Sequence, residues 1–387
     1  MTGHIRRRGE RSWELKFDVG ADPATGRRKI RYVSFKGTKK QAEQKLVALL
    51  AAEQKGESVD PSRVTVAEYL RSWLNADIVI GNKGKALSAK TLERYRQLAE
   101  QQIIPHLGAT ALQKLRPAQI QEWHTALLTH GGKDGAPLSA RTVGHAHRVL
   151  HEALARAAAA ETVHRNVAAI VKAPHVETEE VEILEAEQIT GVLKALRDHG
   201  LHRIVSLALA TGARRGELLG LQWGDVDLDA STLTIQRSVE ETKSGLRLKA
   251  PKTKHGRRTI SLPRTAVELL RSHLREQREL RVALGAGREA KETLVFSTVE
   301  GGLLSPDNVS RDWARTVKSR KLPQVSFHAL RHTHASALIA AGLDVVKISR
   351  RLGHSSPNVT LTVYAHVFEK TDTTAATAIE AALQLGG

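Results

Sequence analysis

The C-terminal half of the sequence carries a series of short motifs whose residue types suit chemistry on a phosphate group. Arg214 lies in TGARRGEL (residues 211–218), three positions before Glu217. On a helix that spacing puts both side chains on one face, where a carboxylate can fix a guanidinium. A fixed guanidinium presents a planar fork that matches two phosphate oxygens. Lys252 and Lys254 follow in PKTKHGRR (251–258), a stretch expected as a hairpin tip from which a lysine can protonate a leaving oxygen. His328 and Arg331 stand three apart in HALRHTH (328–334), His354 follows Gly353 in LGH, and Tyr364 comes ten residues later. Each piece alone also has an ordinary reading: a surface ion pair, a solvated lysine-rich turn, a packed tyrosine. Three histidines within seven residues would suit a metal, yet the chain has no cysteine and no acid stands beside them, so no metal is expected.

These residues fall at the ends of the elements that must hold them. An apolar helix through Ile204 and Ala210 stops at Gly212, and a new one starts near Ala213; a second helix, Val345 to Arg351, ends at Gly353. Strands are expected at Leu233 to Val239, Leu246 to Ala250 and Thr259 to Leu262. Residues 63–175 read as all-helical: Val66, Tyr69, Leu70, Trp73 and Leu74 have helical spacing. Further helical stretches run about Ala89 to Ile104, Pro117 to Leu128 and Ser139 to Ala160, with a loop at Gly131 to Gly135. Residues 1–62 read as a small β-rich unit. Trp13, Leu15, Phe17 and Val19 alternate with polar residues, Asp22 to Gly26 is a turn, Lys29 to Phe35 is a second strand, and Thr38 caps a helix running to about Lys55. Pro174 and the acidic run from Glu177 to Glu187 mark a linker. The expected fold is therefore α+β and multidomain: a β-rich N-terminal domain (1–62), a helical domain (63–175), and a mixed, mainly helical domain with a small antiparallel sheet (176–387).

Taken in order, Arg214, Lys252, His328, Arg331, His354 and Tyr364 with their flanking residues resemble the catalytic domain of the tyrosine recombinase (phage integrase) family. The resemblance implies a site-specific DNA recombinase, an integrase that cuts and rejoins DNA through a 3′-phosphotyrosyl intermediate while a mobile element is integrated or excised. It assigns Tyr364 as nucleophile, Arg214 and Arg331 as the cradle of the non-bridging oxygens, and His354 as a further donor. His328 takes part in proton transfer and Lys252 serves as general acid, with Lys254 on the same turn the alternative; Glu217 supports Arg214. Surrounding cations are expected to favour the phenolate of Tyr364. Less specifically, residues 1–62 resemble an arm-type DNA-binding domain and 63–175 a core-binding, SAM-like domain. Implied partners are double-stranded attachment sites, three further copies in a homotetramer on DNA, and an excisionase or DNA-bending accessory protein. The apolar positions Ala375, Ala376, Ile379, Ala382 and Leu383 suit a tail helix that docks on a neighbouring copy or on its own domain.

Bulk properties agree. The formal charge of +18 over 387 residues attracts polyanions. Cations crowd the N-terminal strands and turns at Arg6, Arg7, Arg8, Arg27, Arg28, Lys29 and Arg31, and Arg94 and Arg141 add to the helical segment; with Lys254 these are the candidate DNA contacts. No GxxxxGK[ST] loop supports ATP use and no HExxH helix is present, which agrees with the resemblance's implication that no cofactor is needed. No apolar run approaches a membrane span and none follows Met1 as a leader would, so the expected location is the cytoplasm, away from membranes. Two rival readings share much of this pattern: a strand-relaxing enzyme like the type IB topoisomerases, and a DNA-binding regulator descended from an integrase.

Overall fold

The computed structural model describes residues 3–21, 26–54, 61–76, 79–81, 84–177, 181–251, 254–285, 287 and 290–369. The chain divides into two compact units, 1–177 and 178–387.

In the first unit, β1 (Gly3–Gly9), β2 (Ser12–Ala21) and β3 (Arg28–Lys36) form an antiparallel sheet in sequence order. Strand β1 is absent from the sequence expectation because arginines hide its alternation. The central strand turns Leu15 and Phe17 inward, where they meet Ala42 and Leu46 of α1 (Lys39–Gln54). Thr38 and Gln41 cap that helix reciprocally, as the sequence implied.

The helical part of this unit has its own core, around Trp123, Leu127, Leu150 and Leu154. Helix α2 (Val66–Leu74) starts at a Thr65–Glu68 capping box and buries Val66, Leu70 and Leu74, one per turn. Helix α3 (Ala89–Leu98), capped by Ser88, runs into a π-helical turn at Ala99–Ile103 and then α4 (Ile104–Leu107). Pro105 lacks the N–H that an α-turn needs there, and the wider turn accommodates its ring. Helices α5 (Pro117–His130) and α6 (Ala140–Ala159) complete the core, the latter capped by Ser139.

The second unit opens with α7 (Ala186–Ala195), α8 (His202–Thr211) and the short α9 (Arg215–Leu219). Strands β4 (Val226–Asp227), β5 (Thr232–Ile235) and β8 (Arg258–Ser261) form one antiparallel sheet; β6 (Ser238–Thr242) and β7 (Gly245–Lys249) form another. The single strand expected at Leu233 to Val239 is thus two. The alternation that buries Leu233 and Ile235 breaks at Gln236, and Arg237 turns aside to pair with Asp225. PKTKHGRR is accordingly a connection between two sheets, not a hairpin tip. Helices α10 (Arg264–Ala283), α11 (Pro306–Ser319), α12 (Ala329–Ala340), α13 (Val345–Leu352) and α14 (Pro357–Glu369) follow. The main core gathers Leu207, Leu218, Leu233, Ile260, Trp313 and Leu330; a smaller one joins Ala335, Ile339, Ile348, Leu352 and Tyr364. Among the described residues, no helix is long and apolar enough to cross a membrane. The fold is mainly helical with small antiparallel sheets, as expected from the sequence.

Candidate active site

Two left-handed glycines shape the site. Helix α8 ends at Gly212 (φ 64°) and α13 at Gly353 (φ 67°), a conformation that costs a residue with a Cβ. Each leaves helix-end carbonyls pointing outward, the negative pole of the helix dipole. Arg331 on α12 uses both: Nη1 donates to the Gly212 carbonyl at 2.6 Å and Nη2 to the Leu352 carbonyl at 2.7 Å. Burial, with Arg214 nearby, draws its pKa down to about 9, which still leaves a cation at neutral pH.

Arg214 is the N-cap of α9 in an extended conformation, not a member of the same helical face as Glu217. The pairing itself forms. Glu217 Oε1 accepts from Arg214 Nη1 at 2.8 Å and Oε2 from the Arg214 backbone N–H at 2.9 Å, satisfying a helix-start donor as well. Arg214 Nη2 reaches the Gly353 carbonyl at 3.3 Å, next to the carbonyl that holds Arg331. The two guanidiniums therefore face the same place. Burial pushes the Glu217 carboxyl up, but hydrogen bonding and charge from Arg258 and Arg214 outweigh it and hold the group below its ordinary range.

His328 stands at the N-terminus of α12, exposed and without a side-chain capping bond among the described residues. Lost hydration and the adjacent Arg331 and Arg214 keep its pKa below the usual imidazole value. His354, just past Gly353, hydrogen-bonds Thr360 Oγ1 through Nδ1 at 2.8 Å. Burial, then Arg331 and Arg214, push its pKa down to about 4, so it is neutral at pH 7.

Tyr364 interrupts the regular geometry of α14 (φ −119°, ψ 16°), and its ring is 1% exposed in the small core. Its hydroxyl is hydrogen-bonded to His332 Nδ1 at 2.7 Å. The His332 ring in turn meets His328 edge-on, with centroids 4.9 Å apart. The expectation that cations favour the phenolate does not hold in this arrangement. Burial lifts the phenol pKa to about 12 and outweighs the opposing pull of Arg331. His332 is itself lowered to about 4 by burial, His328 and Arg331.

The structure thus brings Arg214, Glu217, His328, Arg331, His354 and Tyr364 together. Lys252 lies outside the described residues. Lys254 begins a 3-10 turn ending at Gly256, and its side chain lies outside them too, as does the tail from residue 370. Sequence reasoning missed His332, Arg258 and Arg351. Arg351 donates to His334 Nε2 and to the carbonyls of Ala210 and Ser261, bracing α13. The adjacency of His332 to Arg331 was a signal that could have drawn attention to it.

The candidate DNA contacts separate by face. Arg6 and Arg8 share the open side of the N-terminal sheet with Glu14 and Lys16, whose Nζ lies 5.7 Å from the Tyr32 ring centre. Arg8 is paired with Glu14 and Arg28 with Asp18. Arg7, Lys29 and Arg31 alternate to the side facing α1, since Arg31 sits opposite Phe17, and Arg27 is exposed in the connection. In the helical segment Arg94, Arg141 and Arg148 converge on His145, where burial and then these cations lower the imidazole pKa.

A mainly helical fold that concentrates two arginines, histidines and a tyrosine around paired helix ends defines a tyrosine recombinase. The chain belongs to the phage integrase family: the family's model matches residues 178–371, and the integrase N-terminal SAM-like domain matches 65–128. It is a site-specific recombinase, an enzyme that breaks and rejoins DNA. It is 31% identical to an integrase of Streptomyces ambofaciens (91% of this chain, 88% of that one) and 27% identical to a XerC-like tyrosine recombinase of Caldanaerobacter subterraneus (97% of each). Among solved structures it resembles the Tn1549 transposon integrase in complex with transposon right-end DNA (TM-score 0.67, 20% identity, 82% of this chain and 99% of that one). It also resembles a lambda integrase dimer bound to a core site (TM-score 0.54, 18% identity, 91% of each). The regulator and strand-relaxing readings are not favoured by these relatives.

Proposed function

We propose that Tyr364 attacks a DNA phosphodiester at an attachment site while Arg214 and Arg331 hold the non-bridging oxygens. The observation that carries this reading is the clamp at Leu352–Gly353, where both guanidiniums meet beside His354, with the Tyr364 hydroxyl hydrogen-bonded to His332, the chain neighbour of Arg331. The phenol oxygen forms a bond to phosphorus as the bond to the 5′ oxygen breaks. The phenol proton passes to His328, and the departing oxygen takes a proton from Lys252, or from Lys254 on the same turn. Charge grows on the non-bridging oxygens in the transition state, so fixed donors lower the barrier selectively. The phosphotyrosyl bond conserves the energy of the cleaved one, and a 5′ hydroxyl reverses the step without a cofactor.

In this reading residues 1–62 bind arm-type sites through the open sheet face of Arg6, Arg8 and Lys16, residues 63–175 bind the core site through Arg94 and Arg141, and 176–387 catalyse. Four copies act together on two duplexes in the cytoplasm of a bacterial host, and an excisionase or DNA-bending protein sets direction. The core sequence is to be read from the direct repeat flanking the gene. A nicked duplex carrying it traps covalent adducts with the wild-type protein, whereas Tyr364→Phe shifts the same duplex in a gel and forms none. Adducts from Tyr364→Phe overturn the assignment of the nucleophile; a wild-type protein that only shifts the duplex overturns the catalytic reading.

A further inference from the structure

Arg258 lies in the site without a task in the mechanism above. Its side chain is 6% exposed and makes bonds to three segments. Nε donates to the Arg351 carbonyl at 2.6 Å, and Nη1 to the Gly256 carbonyl at 3.1 Å. Nη2 donates to Glu217 Oε2 at 2.7 Å and Nη1 to Oε1 at 3.3 Å, so the carboxylate is gripped from both oxygens. A Cβ at Gly353 would come within 2.8 Å of Nη1, so the glycine also gives this arginine its room.

We propose that Arg258 is a positioning residue that acts through Glu217 to keep the fork of Arg214 available to the scissile phosphate. A lone arginine and carboxylate settle into a two-bonded pair, which would turn both Nη atoms of Arg214 onto Glu217 and neutralise its charge. Here the carboxylate is shared. Arg214 gives it one Nη and a backbone N–H, while among the described residues its other Nη makes only the 3.3 Å contact with Gly353 and its side chain stays 41% exposed. With two guanidiniums on one carboxylate, the cluster keeps a net positive charge where the phosphate must bind. The inference rests on the proposed role of Arg214 as a phosphate ligand.

The test measures single-turnover adduct formation by Arg258→Gln and Arg258→Lys on the nicked core duplex, with three versions of the scissile group. On the ordinary phosphate, Arg258→Gln is expected to slow cleavage by about 10²-fold, the scale of losing one fixed transition-state donor, with duplex binding retained. On a methylphosphonate, which carries no charge for Arg214 to offset, the gap from wild type shrinks to less than about tenfold. On a 5′-bridging sulfur, whose thiolate leaves without a proton, the gap stays as it was. If Arg258→Gln loses its cooperative melt, Arg258→Lys, which keeps the charge and loses the fork, carries the same comparison. A gap that closes on sulfur places the action of Arg258 on the lysine turn through Gly256 and overturns the proposal. A gap equal on all three substrates, or none at all, overturns it as well. A wild-type protein without adducts sinks the functional reading instead.

Discussion

Replacing Glu217 with Gln should cost far more than its single change of charge suggests. Glu217 is 5% and Arg258 6% exposed, and their closest contact is 2.7 Å. Removing one partner of such a pair leaves the other charge buried and uncompensated, a loss of about 3–5 kcal/mol. The bond to Arg214 adds little, since that guanidinium is 41% exposed and screened by water. For a unit of this size each kcal/mol lowers Tm by roughly 2–4 °C, so Glu217→Gln should melt on the order of 10 °C below wild type at neutral pH. The sign with pH follows from the lowered carboxyl. Its stabilisation is present above the ordinary value of 4.5 and is lost as pH falls through the depressed folded value, so the gap between wild type and variant narrows in acid. Calorimetry on the two proteins from pH 7 downward reads both effects. Adding Arg258→Met to Glu217→Gln should restore part of the loss, because the unpaired cation leaves with it. A variant within about 1 kcal/mol of wild type at pH 7, or a gap that persists unchanged in acid, refutes the claim that the pair is an integral part of the site.

Further expectations concern two histidines. His332→Phe leaves the buried Tyr364 hydroxyl without its partner, a penalty of about 1–3 kcal/mol that favours release of the ring; adduct formation on the nicked duplex should speed up by about fivefold or more, and slower cleavage would mean that the imidazole takes part in the reaction itself. His147 on α6 lies buried 3.1 Å from His124 on α5, and burial first, then His124 and His151, depress its pKa from 6.5 to about 4. The neutral ring's stabilisation is present above pH 6.5 and is lost as pH falls toward 4, about 3 kcal/mol in all, so urea unfolding of wild type should weaken over that window more steeply than that of His147→Leu. Parallel pH profiles would show that the pair is not buried as described.

Arg214, His328 and His354 were legible because each sits at the end of an element and beside a glycine or apolar run that announces that end, whereas Arg331 and Tyr364 lie within helices and were found by their place in the series of motifs. Gly212 and Gly353 marked where helices stop, and the stops are what place Arg214 and His354. Arg258 was not legible: it reads as one more cation in a basic loop, and only the fold carries it to Glu217, 41 positions earlier. The partner of Tyr364 was hidden for the same reason, being 32 positions away. In the fold, helices with one apolar residue per turn could be read directly, as in α2. Strand β1 could not, because its arginines stand on both faces, nor could the break after Ile235, where one run of β-formers serves two sheets. The π-helical turn before Pro105 is a local response to the ring and left no periodicity to detect.

The guanidiniums of this pocket are anchored largely on main-chain oxygens: Arg331 on Gly212 and Leu352, Arg258 on Gly256 and Arg351, Arg351 on Ala210 and Ser261. A peptide oxygen is supplied by whichever amino acid occupies the position. Mutations can therefore accumulate at most of these anchors without disturbing the hold on the cations; drift is barred at glycines, at Gly212 and Gly353 by their left-handed backbones and at Gly256 because a Cβ there would collide with Pro251. Lineages sharing this pocket are free to diverge widely around it, which fits relatives that agree with this chain at only a quarter to a third of their positions yet extend along nearly its whole length.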